Sequence, residues 1–245
     1  MAGKPERTRT GKPEAKPRKS SAGADFRRPR TNAAETAPKP AEDAPARLTW
    51  KPGTLEGPLP PVLVTCGTME APNALTIAWT GIVNSDPALT YISVRPERYS
   101  FDIIRKSGEF VINLPVTSML SAIDYCGVRS GRDGDKIRRC GLTLLPGETV
   151  KAPIVAESPV NLECRVRQEL PLGSHHMFLA EITAVRVDPS FVDEKGRLAL
   201  EKCRLAAFAH GQYFALGKVL GSMGFSVNKK GGKKPAKKKP VDTGK

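Results

Sequence analysis

Hydrophobic positions crowd into short runs between residues 57 and 228, and most runs have the length and β-branched content of strands. Pro61–Thr68 (PVLVTCGT) is apolar up to Gly67, and Asn73–Val83 (NALTIAWTGIV) is nearly continuous. Leu89–Val94 (LTYISV) and Glu109–Leu114 (EFVINL) follow, then Val160–Leu170 (VNLECRVRQEL) and the long His175–Val187 (HHMFLAEITAVRV). The turn signals SDPA, GSHH, DPSF and DEKG punctuate them. Many short strands with such punctuation predict a barrel or a sandwich.

Three stretches switch to helical spacing. Ser100–Ser107 opens on a residue suited to N-capping, carries Asp102 in its first turn and Arg105 and Lys106 in its last, and stops at Gly108. Thr117–Gly127 (TSMLSAIDYCG) can cap at Thr117 or Ser118 and turn Leu120, Ile123 and Tyr125 inward. Gly134–Gly141 (GDKIRRCG) is short and basic. No internal repeat is visible. The pattern predicts one mainly β, α+β domain built around an antiparallel barrel with a few short helices.

Charge changes this picture at the ends only. The 245 residues carry a formal net charge of +14. Residues 1–47 hold twelve Lys+Arg against six Asp+Glu, and residues 228–245 hold eight against one; the stretch between is nearly balanced, nineteen against eighteen. The excess therefore does not make the body a basic nucleic-acid-binding domain. The ends are rich in Lys, Pro, Gly and Ser without apolar periodicity. Residues 1–56 are expected to be a disordered basic tail with a lead-in, and residues 229–245 a disordered Lys-rich tail. Weak, salt-sensitive nucleic-acid binding is the partner such tails could serve. No apolar h-region or bilayer-length run is present, so neither a secretory signal nor membrane insertion is expected. The cysteines, Cys66, Cys126, Cys140, Cys164 and Cys203, lack zinc spacing and suit a reduced cytoplasmic protein. His175 and His176, adjacent on a strand, point to opposite sides, so no metal is expected there.

The stretch from Tyr91 to Ser100 (YISVRPERYS) combines a strand end, two arginines around Pro96, and a helix start. A helix N-terminus offers unpaired N–H groups to an anion, and guanidinium suits phosphate geometry. The stretch reads either as a phosphate clamp or as a surface loop whose arginines snorkel. No G-x-x-x-x-G-K-[ST] and no G-x-G-x-x-G after a strand occurs, which disfavours a P-loop nucleotidase and a Rossmann dehydrogenase.

The segments NALTIAWTGIVNSDPALTYISVRPERYSFDIIRKSGEFVINLP, DYCGVRSGRDGDK, PVNLECRV, LGSHHMFLAEI and AHGQYFALGKVLG, in that order, resemble the flavin reductase-like, FMN-binding split-barrel family, its flavoredoxin branch most of all. The resemblance spans residues 57–228. It implies a six-stranded, Greek-key-like split β-barrel that forms a homodimer and holds FMN near the subunit interface. It places Asn73 and Trp79 on the flavin strand, with backbone groups of Ala78, Trp79 and Thr80 along the ring edge. Ser93, Val94, Arg95 and Ser100 match the phosphate and ribityl contacts. Lys136 matches a basic residue that reaches the flavin, His175 a position near the ring, and Phe208 an aromatic that closes the site.

The implied activity is transfer of a hydride from NAD(P)H to flavin, with electrons passing to a flavin, a metal or an acceptor protein; His175 would place the donor. Two other readings stand beside it: a flavoredoxin-type electron carrier without a nicotinamide site, and a basic-tailed nucleic-acid-associated protein. Each residue also has a plainer reading. Trp79 could be core, Asn73 a turn residue, Lys136 a solvated helix face, and His210 a structural histidine.

Overall fold

The computed structural model describes residues 46–227; apart from residues 46–56, the tails read from the sequence lie outside them. Residues 46–52 form neither helix nor strand, and all described regular structure falls after Gly53. In chain order the strands are β1 (Val62–Gly67), β2 (Pro72–Ile77), β3 (Thr80–Ser85), β4 (Ala88–Val94), β5 (Glu109–Asn113), β6 (Leu144–Leu145), β7 (Ile154–Val155), β8 (Val160–Pro171), β9 (His176–Val187), β10 (Ala206–Ala209) and β11 (Gln212–Ala215). The helices are α1 (Tyr99–Ser107), α2 (Leu120–Val128) and α3 (Lys136–Arg139).

β1 shows how the layers arise. Its run of apolar residues is buried on both faces. Val62, Val64 and Cys66 point into the barrel interior with Leu75, Ile77, Ile92, Val94, Phe110 and Phe178. Leu63, one position out of phase, turns the other way and packs with Ala74, Met119, Ile123, Cys126 and Ile137 beneath α2 and α3. A continuous apolar strand is therefore one covered on both sides, here by barrel core and helices.

The main sheet is antiparallel throughout, in the order β2-β1-β5-β8-β9-β4-β3. Its two outermost strands, β2 and β3, are consecutive in the chain and joined only by Ala78 and Trp79. The sheet therefore curls until its edges share one segment, and Ser93 N–H donates to Trp79 O at 3.0 Å across that junction. The run Asn73–Val83, expected as one strand, is thus two. That break accounts for a seventh strand where the resemblance implied six. Register shifts near Cys164 and Val166 let the long β8–β9 ribbon bend with the barrel. The architecture is the mainly β split barrel with short helices read from the sequence.

Three local expectations are corrected. Ser100 is not an N-cap: α1 starts at Tyr99 after Arg98, no side chain caps it, and Ser100 is buried inside the first turn. Apolar Phe101 and Ile104, which enter the barrel core, set the phase of the helix and draw Ser100 in. Nor do Thr117 and Ser118 cap α2; Thr117–Met119 is a 3-10 turn, and Met119, Ala122, Ile123 and Cys126 are the buried residues rather than Leu120 and Tyr125. The third is the β10–β11 hairpin, which no apolar run announced; His210 (φ 48°) and Gly211 (φ 82°) make its two-residue turn.

Candidate functional site

A groove is formed by two adjoining parts that share Leu75, Arg95 and Arg98. The smaller part, about 150 Å³, is lined by Thr76, Ile77, Ala78, Trp79, Ser93, Val94 and His175. The larger, about 410 Å³, is lined by Tyr99, Ser100, Cys126, Arg129, Arg132 and Lys136 among others. The first is a strand edge beside an aromatic wall, and the second is strongly basic.

The wall exists because the chain breaks at Ala78–Trp79. Leaving the sheet there, Trp79 is 37% exposed, which is not the burial of a plain core residue. His175 lies against it, ring centroids 4.5 Å apart and planes tilted by 42°. The Nδ1 of His175 shares a 2.9 Å hydrogen bond with Ser174 Oγ. Burial, and then the nearby Arg95 guanidinium, lower the pKa of His175, which favours the neutral imidazole.

The basic part is built where β4 hands over to α1 and α2 to α3. The uncapped first turn of α1 leaves N–H groups open to a ligand. Arg95 is half exposed and paired with Glu97 at 3.5 Å. The guanidiniums of Arg98 and Arg129 have neither ion-pair nor hydrogen-bond partner among the described residues. Arg132 donates to Glu97 O at 3.1 Å and lies over the Tyr99 ring, 5.4 Å from its centroid. Ser130 and Asp133 close a reciprocal capping box that fixes the loop carrying it.

Lys136 is 5% exposed, which rules out a solvated helix face. Its Nζ donates to Arg129 O at 3.1 Å and Cys126 O at 3.4 Å, the carbonyl end of α2. Desolvation lowers its pKa, partly offset by the Cys126 thiol. It lines the basic part and not the aromatic one.

The structure brings Ala78, Trp79, Ser93, Val94, Arg95 and His175 together in the smaller part, and Arg95, Ser100 and Lys136 in the larger. Asn73 lies behind the wall, donating through Nδ2 to Ser100 Oγ at 2.5 Å. Thr80 faces a separate cleft beside Tyr91 and donates to Tyr91 O at 2.6 Å. Phe208 is on β10, against Tyr213 and bridged to Leu59, outside both parts of the groove. Sequence reasoning did not name Arg98, Arg129 and Arg132. The signal was there: all three lie in RPER and VRSGRD, the two stretches already singled out.

The groove fits a flavin mononucleotide. The strand edge and indole suit a flat heteroaromatic ring, and two unpaired guanidiniums with an open helix start suit a phosphate. Barrel and groove together define an FMN-binding split-barrel fold. The chain belongs to the flavin reductase-like domain family, which it matches over residues 56–217. The flavoredoxin of Desulfovibrio vulgaris (Miyazaki F) superposes with a TM-score of 0.69 at 32% identity, covering 75% of this chain and 100% of that one. A flavoredoxin from Methanosarcina acetivorans gives 0.68 at 25% identity, with the same coverage, 75% and 100%. An NADH-dependent FMN reductase of Streptomyces nodosus subsp. asukaensis is 28% identical over 122 residues, 49% of this chain and 64% of that protein.

Proposed function

We propose that this chain is an FMN-dependent oxidoreductase that takes a hydride from NAD(P)H and passes electrons to a flavin, metal or protein acceptor. The observation that carries the reading is the joining of an aromatic strand edge to a basic pocket in one groove. Bound FMN would supply the two-electron chemistry. The chain's part is to hold and orient. Arg98, Arg129, Ser100 and the start of α1 receive the phosphate, while Trp79 and the backbone of Ala78 and Ser93 flank the ring. Neutral His175 leans on Trp79, where it can position a donor ring without adding positive charge. No strong general base is required. Phe208 closes a site only if a second subunit brings it there, which agrees with the homodimer this reading expects. The reduced cysteines suit the cytoplasm.

A second reading, an electron carrier without a nicotinamide site, is favoured by the similarity to two flavoredoxins. Anaerobic stopped-flow mixing of the FMN-loaded protein with NADH and then NADPH separates them. Bleaching of the flavin absorbance within seconds by either donor supports the reductase. A protein bleached only by a chemical reductant is a carrier.

A further inference from the structure

Asn73 does not line the groove, yet it touches both walls of the basic part. It is 5% exposed, on β2 opposite Cys66 of β1. Its Nδ2 donates to Ser100 Oγ at 2.5 Å, and Ser100 is 2% exposed at the floor of the basic part. A hydroxyl has one proton and two acceptor lone pairs. A donor from Asn73 fills one lone pair and obliges the Ser100 proton to point elsewhere. The Cys66 sulfur is one partner within reach, and Ser100 also lines the groove. Burial pushes the Cys66 thiol up to about 11, so it stays neutral and is a weak acceptor. An anionic oxygen in the groove is much the better partner.

The other side of Asn73 meets the opposite wall. A Cβ on Gly131 would fall 2.4 Å from Asn73 Oδ1 and 2.5 Å from Tyr99 Cδ1, so only glycine lets this loop pack there. The loop is itself fixed, by the Ser130–Asp133 capping box and by Arg132 to Glu97 O. The carboxamide is thus held between α1 and the Gly131 loop.

We infer that Asn73 is a positioning residue for the phosphate rather than a ring contact, turning the Ser100 hydroxyl toward the groove. The inference rests on the reading that the basic part takes the phosphate of FMN. It makes preference for a phosphorylated flavin depend on a residue that never meets the ligand.

Isothermal titration with FMN and with riboflavin tests it, on the intact chain, Asn73→Ala, Asn73→Asp, Ser100→Ala and the double variant Asn73→Ala/Ser100→Ala. Asn73→Ala is expected to weaken FMN about three- to tenfold, the range of one hydrogen bond, with riboflavin affinity unchanged within about twofold. Asn73→Asp is expected to lose more, since it cannot donate and adds a negative charge. The double variant is expected to lose no more than Ser100→Ala alone, because both changes remove one interaction. Equal loss of both flavins in Asn73→Ala, or additive losses in the double variant, would overturn the inference. Should Asn73→Ala fail to fold, the near-isosteric Asn73→Asp must show the same selective loss. An intact chain that binds both flavins equally refutes the phosphate reading and this inference with it, whereas one that binds neither refutes the FMN reading itself.

Discussion

At the scale of single residues, the structure shifts the expected weight of the phosphate contact from Arg95 to Arg98. Arg95 is half exposed and already paired with Glu97, and an exposed pair of that kind holds about 0–1 kcal/mol. Arg98 has no such partner among the described residues and, like Arg95, lines both parts of the groove. Arg98→Ala should weaken FMN about tenfold or more, as befits a charge-assisted contact, while Arg95→Ala should cost about threefold or less. Titration of both variants checks this, and the reverse order would place the phosphate on the Arg95 side. His175 gives a second prediction. Its pKa is lowered first by burial and then by Arg95, so its imidazole should titrate below free histidine in an NMR pH series. Arg95→Ala should move the midpoint up only part of the way, because burial remains. The sign for stability follows: a depressed folded pKa gives a contribution present above the unfolded pKa and lost as pH falls through the folded one. Much of this was legible in the sequence. RPERYS pointed to a candidate anion site through its arginines and its helix start, beside the plainer reading of a surface loop. Why Ser100 matters was not legible: it reads as a cap, but Phe101 and Ile104 set the helix phase and bury it beside Asn73, a contact 27 residues away that no local pattern carries.

At the scale of elements, the informative cases are the broken strand and the end of α2. NALTIAWTGIV is apolar and β-branched enough to read as one strand. Nothing in it marks Ala78–Trp79 as a corner, since the corner joins the two edge strands of the curled sheet. The period-two pattern of β4 was readable because it has one face on the barrel core. The α2 terminus makes a prediction. Lys136 is a buried ammonium held by two carbonyls and no carboxylate, and desolvation is the largest influence on its lowered pKa. A folded state that lowers the pKa of a lysine disfavours its charge, so the charge does not stabilise the apo fold. Lys136→Met should leave the melting temperature of the flavin-free protein unchanged or higher, yet weaken FMN binding several-fold. A melting temperature lower by several degrees would instead make Lys136 chiefly a cap for α2.

At the scale of the whole molecule, residues 216–227 form neither helix nor strand, yet they carry Leu220 at 98% and Met223 at 103% exposure, with Val219, Phe225 and Val227 also exposed. So many exposed large apolar side chains in one stretch mark a candidate interaction surface. Sedimentation should therefore find a dimer, and Leu220→Ser with Met223→Ser should shift it toward monomer. A wild-type monomer at micromolar concentration would contradict the expected subunit interface. Among the described residues no helix is long and apolar enough to cross a membrane.

On the proposed reading, one groove holds a flavin ring at its aromatic end and a phosphate at its basic end. The most direct measurement is the affinity of the flavin-free protein for FMN against riboflavin, by titration at moderate salt. The proposed phosphate contacts of Arg98, Arg129, Ser100 and the α1 start predict FMN binding about ten- to a hundredfold tighter. Equal affinity for the two flavins would contradict the account.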